Sequence, residues 1–138
     1  MHIVLRVQLL AMEEKPDKGP SDGSAQPISA EPTVVLVSDL IFTSRIIAEA
    51  RACGGVITIV RQPRALAGKA GRALIVDLNL AGAIAAAADW RRATGKPVIG
   101  FVSHSDQPTI EQARAAGIDQ VMARSRFMQI LPELLRPQ

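Results

Sequence analysis

The sequence predicts one α/β domain, an open sheet of five parallel strands covered by helices on both faces, and three observations carry that prediction. From Thr33 onward, short runs of β-branched and aliphatic residues alternate with helical stretches. Most of these runs are apolar throughout, as expected for parallel strands buried on both faces. The 48% apolar content comes mainly from Ala, Val, Ile and Leu, with three Phe, one Trp and no Tyr, which suits aliphatic strands under Ala-rich helices. A length of 138 residues supports one such domain and its core.

The elements follow in order. TVVLVSDL from Thr33 is the first strand run, and IFTSRIIAEARACGG follows it. There Ile46, Ile47, Ala50 and Cys53 share one helical stripe, and Gly54 with Gly55 supplies the stop. VITIV is the second strand, followed by a short helix around PRALAGKA. ALIVDL is the third, followed by the Ala-rich helix AGAIAAAADWRRATG. VIGFVS precedes the helix PTIEQARAAG, and QVMA precedes FMQILPELL. Val35, Val37, Ile75, Val76, Ile99 and Phe101 are the expected sheet core. Five such units imply right-handed crossovers, and the flavodoxin-like strand order 2-1-3-4-5 is the commonest solution for them.

Residues 1–32 read differently. Glu13 to Pro32 combines four prolines with Gly, Ser and charge and shows no apolar periodicity, so it offers too little apolar surface to offset its ordering entropy. The expected organisation is a disordered segment over 1–32 and the domain over 33–138. For Met1 to Ala11 three readings stay open: a short docking strand or helix, a partner-binding peptide, or a start-codon artefact.

Composition narrows the function classes. The lone Cys53, without a CxxC or His/Cys cluster, excludes an internal disulfide and points to a reducing, cytoplasmic setting. No run reaches the roughly 18–20 consecutive apolar residues of a membrane helix, and the N-terminus lacks the basic start and unbroken apolar core of a signal peptide. Net charge is +3. The basic residues are scattered and lack an aromatic platform, which disfavours nucleic-acid binding. Phosphate-cradling glycine motifs and a G-x-S-x-G elbow are both absent. The chain is not expected to be an enzyme.

In sheets of this kind the working site lies at the carboxyl ends of the strands. Asp39 and Asp77 end the first and third runs, Ser103 and His104 the fourth, and Arg124 the fifth. Two carboxylates there form a plausible Mg²⁺ site, with a hydroxyl and a cation at the same mouth. Each residue also has a local reading. Asp39 suits an N-cap, Asp77 a loop cap, His104 a solvated imidazole, Trp90 packing along its helix and Cys53 a small buried hydrophobe.

The stretches VSDL at 37–40, LIVDLNL at 74–80, FVSH at 101–104 and AGIDQVMARS at 116–125 resemble, in order and rough spacing, the motifs of response-regulator receiver domains. The resemblance covers Val34 to about Leu135. It implies that Asp77 is the phosphoacceptor, that Asp39 is a metal-binding acid and that Asn79 lends its carbonyl to Mg²⁺. Ser103 would sense the phosphoryl group, and Arg124 stands where the family has a lysine. The chain departs from the family at Ser38, in place of a first acid, at Ser125, in place of a proline, and at Val121, where a switching aromatic is frequent. The resemblance implies a single-domain module of a two-component phosphorelay, with a histidine kinase or another signalling protein as partner. The departures favour a pseudo-receiver that works as an interaction or scaffold module without phosphorylation. A small-ligand-binding module using the same crevice is the third reading.

Overall fold

The computed structural model describes residues 5–6, 31–103 and 106–137. Its strands are β1 (Leu5–Arg6), β2 (Thr33–Leu36), β3 (Ile57–Val60), β4 (Ala73–Asp77), β5 (Val98–Val102) and β6 (Gln120–Ala123). Its helices are α1 (Leu40–Cys53), α2 (Ala83–Thr94), α3 (Gln107–Ala115) and α4 (Arg124–Leu135). The sheet order is β1-β3-β2-β4-β5-β6. The five strands from β2 onward are parallel, so among themselves they follow the expected order 2-1-3-4-5.

Strand periodicity divides the core. Val34, Leu36, Leu74 and Val76 pack on one face with Ala83, Ala87 and Trp90 of α2 and Ala113 of α3. Val35, Val37, Ile75 and Phe101 pack on the other with Phe42 and Ile46 of α1 and Phe127 and Leu131 of α4. Successive side chains point to opposite faces, and both faces are covered. That is why the runs read as continuously apolar. All six residues named as the sheet core are buried.

Local chemistry sets the helix ends. Asp39 caps α1 by accepting the Phe42 N–H at 3.0 Å, and Gly54 closes it in the left-handed conformation at φ 77°. Gly55 then lies so close to the Leu135 carbonyl that a Cβ there would collide with it. The end of α1 and the end of α4 meet at this point.

Two elements differ from expectation. Residues 63–70 form only a 3-10 turn, Pro63–Ala65, because Pro63 opens a span that Gly68 and Gly71 interrupt before a stable helix can propagate. Leu66 anchors the stretch by burying itself in the first core face. The indole N–H of buried Trp90 donates to the Lys69 carbonyl at 2.8 Å. Helix α4 starts at Arg124, earlier than FMQILPELL suggests, because its first turn is polar and carries no apolar signal.

Leu5 and Arg6 pair antiparallel with the edge strand β3, opposite Ile59 and Thr58, which corresponds to the docking-strand reading of Met1 to Ala11. Glu31 pairs with Lys96 at 3.1 Å. Apart from Leu5 and Arg6, residues 1–30 of the segment expected to be disordered lie outside the described residues. Among the described residues no helix is long and apolar enough to cross a membrane.

Candidate functional site

Neighbouring parallel strands β2 and β4 end together, and this brings Asp39 and Asp77 to one side of the sheet. Both carboxylates make local backbone bonds. Asp39 holds the start of α1, and its own carbonyl accepts the Thr43 hydroxyl at 2.7 Å. Asp77, opposite Phe101 in register, accepts the Asn79 N–H at 3.0 Å. Asp77 is only 8% exposed.

Arg124 reaches this corner from the first turn of α4. Its Nη2 lies 3.6 Å from Asp39 Oδ2, and its guanidinium carbon sits 3.9 Å from the Phe42 ring centroid and 5.9 Å from that of Phe101. This is cation–π geometry. Phe42, Phe101 and Phe127 support it as a ring cluster, with Phe101 and Phe127 stacked at 4.7 Å. Arg124 Nε is buried and makes no hydrogen bond among the described residues.

The charges act on one another. Burial pushes the Asp77 carboxyl above the usual carboxylate range, against the Asn79 N–H and the Arg124 guanidinium, while Asp39 adds to the upward push. The Asp39 carboxyl is held below that range, chiefly by the Phe42 N–H, with Arg124 contributing. The guanidinium therefore pairs with Asp39 and acts on Asp77 through its charge.

Ser103 is exposed, and its backbone N–H donates to Asn79 Oδ1 at 2.7 Å. The Asn79 side chain thus ties the end of β5 to the turn after β4. A cleft of about 580 Å³ is lined by Asp39, Phe42, Arg45, Ser103, Arg124 and Ser125 among others. Asp77 and Asn79 are not part of that lining. His104 lies outside the described residues.

Two residues at the corner were not anticipated. Phe42 carries the Arg124 contact; its spacing three residues after an N-cap places it in the first turn of α1, a signal available in the sequence. Arg61 donates from Nη2 to the Ser38 carbonyl at 2.6 Å, a partner 23 positions away that no local pattern marks.

A divalent ion of the Mg²⁺ type needs several oxygen donors, and these residues do not fit one. Position 38 offers no carboxylate, and its carbonyl is taken by Arg61. Asp39 already bonds a backbone N–H and faces a guanidinium. Among the described residues no group of three His, Cys, Asp or Glu side chains gathers to hold a metal.

Solved structures share this architecture. A receiver domain protein from Methanospirillum hungatei is similar with a TM-score of 0.65 at 11% identity, over 78% of this chain and 94% of that one. The fold is that of response-regulator receiver domains. The receiver domain of a Pseudomonas aeruginosa sensor histidine kinase, solved with magnesium in its active-site cleft, matches with a TM-score of 0.60 at 18% identity, over 78% and 98% of the two chains. A Burkholderia pseudomallei response regulator, solved with a phosphorylated aspartic acid, calcium and citrate, matches with a TM-score of 0.64 at 13% identity. That match covers 77% of this chain and 66% of the other. At these identities the likeness is one of fold. No protein-family model matches the chain, and no characterised protein matches it in sequence.

Proposed function

We propose that this receiver-fold chain is a non-enzymatic, cytoplasmic signalling module that acts by binding a partner protein and does not depend on phosphoryl transfer at Asp77. Fold alone does not assign a function, so the reading rests on the site. The observation that carries it is the enclosure of Asp77, which is 8% exposed and is not part of the lining of the cleft beside it. Phosphoryl transfer needs an ionised nucleophile that the donor can reach in line. Asp77 is poorly placed for that approach.

A second feature supports the same reading. Val121, where receivers often carry a switching aromatic, is an aliphatic residue packed against the core face under α2 and α3. A ligand moves an equilibrium only through its differential affinity for two states, and a small aliphatic side chain supplies little difference between them. Leu40 and Ile41, 66% and 77% exposed at the start of α1, leave apolar surface beside the cleft for a partner to cover.

The test is intact-mass analysis after incubation with Mg²⁺ and a small acyl phosphate, comparing the wild type with Asp77→Asn. The expected result is no phosphoryl adduct on either protein. An adduct on the wild type that Asp77→Asn abolishes would restore the phosphorelay reading, with a histidine kinase as the implied donor.

A further inference from the structure

We propose that Arg124 is the built-in counter-ion of the Asp39 and Asp77 corner, and that it makes this corner independent of divalent cations. The inference rests on the receiver-type reading for where such an ion would bind. It does not depend on whether Asp77 accepts a phosphoryl group.

Two carboxylates at adjacent strand ends repel one another unless a positive charge stands between or beside them. Here the guanidinium supplies that charge, with Nη2 at 3.6 Å from Asp39 Oδ2. Its position is over-determined. The backbone of Arg124 is the first residue of α4 and directly follows β6, which shortens the play of the tether. Its guanidinium carbon lies over the Phe42 ring at 3.9 Å from the centroid, and Phe42 is itself held by Phe101 at 5.1 Å.

Only a flat, delocalised cation can present its face to a ring and its edge to a carboxylate at once. Lysine, a point charge on a flexible stem, cannot do both. The oxygen donors have been reassigned in step: the Phe42 N–H takes Asp39 Oδ1, and Arg61 takes the Ser38 carbonyl. An entering Mg²⁺ would have to evict the guanidinium from Asp39 and then tolerate its charge nearby. It would find one carboxylate fewer than a receiver usually offers.

The experiment is a Mg²⁺ titration of the full chain followed by backbone amide shifts at Asp39, Asp77 and Asn79. The wild type, Arg124→Gln, Arg124→Lys and the double variant Arg124→Gln/Asp39→Asn are compared. The wild type is expected to show no saturable shift at millimolar Mg²⁺. Arg124→Gln should gain at least about tenfold in Mg²⁺ affinity as the competing charge leaves, the double variant should lose that gain, and Arg124→Lys should fall between.

Saturable Mg²⁺ binding by the wild type at these residues overturns the proposal, and so does a folded Arg124→Gln that gains nothing. The wild-type measurement stands even if a variant does not fold. A wild type that binds Mg²⁺ but takes no phosphoryl group sinks this inference and leaves the proposed function intact. A wild type that is phosphorylated at Asp77 without requiring Mg²⁺ does the reverse.

Discussion

Asp119 shows how much a single side chain can hold together. Its two carboxylate oxygens accept from Arg91 Nε at 2.9 Å and Nη2 at 2.8 Å, and Oδ2 also accepts the Val98 N–H at 2.7 Å. The clamp joins α2, the start of β5 and the turn before β6. Led by the Arg91 bond, it holds the Asp119 carboxyl down at about 2. The folded-state value is depressed from 3.8, so the stabilisation is fully present above the unfolded value and is lost as pH falls through the folded one. With its partial exposure discounted, the clamp contributes about 1 kcal/mol at neutral pH. Asp119→Asn should therefore be less stable than the wild type by about that amount at pH 7. Urea denaturation across pH should show the gap closing only between about pH 4 and pH 2; a gap unchanged across that window would remove the charge from the explanation.

At the scale of elements, β4 is the strand on which the fold turns. It lies between β2 and β5, and Ile75 stands opposite both Val35 and Ile99 with no exposed surface. Ile75→Ala should cost about 2–5 kcal/mol through lost transfer energy and the residual cavity. Chemical denaturation measures it, and a harmless substitution would contradict the central placement of β4. The elements that were legible in the sequence share a property with β4: their side chains are committed to burial on a fixed period. Residues 63–70 were not legible because Leu66 is a single apolar anchor and defines no period. The start of α4 escaped for a related reason. Arg124 and Ser125 join the helix through backbone continuity from β6, and apolar patterning cannot report that.

At the scale of the molecule, the described part of the N-terminal segment adds the Leu5–Arg6 pairing at the edge of the parallel sheet and the Glu31–Lys96 ion pair. A two-residue antiparallel contact at an edge buries little. Removing Met1 to Ala30 should leave stability to thermal and chemical denaturation within about 1 kcal/mol, the range of a modest point substitution. A larger loss would mean that more of the segment docks on the domain than this one contact. The same scale explains the two-sided core. Among the described residues, four helices and a 3-10 turn cover a sheet whose central strands have no solvent face, and the strand ends are left as the place where polar groups from distant parts of the chain can meet.

The sequence by itself determined most of the strand and helix units and the buried core, because apolar periodicity is a local record of which side chains leave water; for the order of the strands it offered only the commonest solution for such units. It also marked Asp39, Asp77, Ser103 and Arg124 as strand-end residues, since polar groups that interrupt apolar runs in this topology collect at one edge. Only the tertiary structure decided what those groups touch. It set Arg124 on Phe42 and against Asp39, gave the Ser38 carbonyl to Arg61, joined Asn79 to Ser103 and enclosed Asp77 while leaving Asp39 open. The reason is physical: burial pattern is carried by neighbours in the chain, whereas the partner of a charge or a hydrogen-bonding atom depends on distances of a few ångströms between residues that are far apart in sequence.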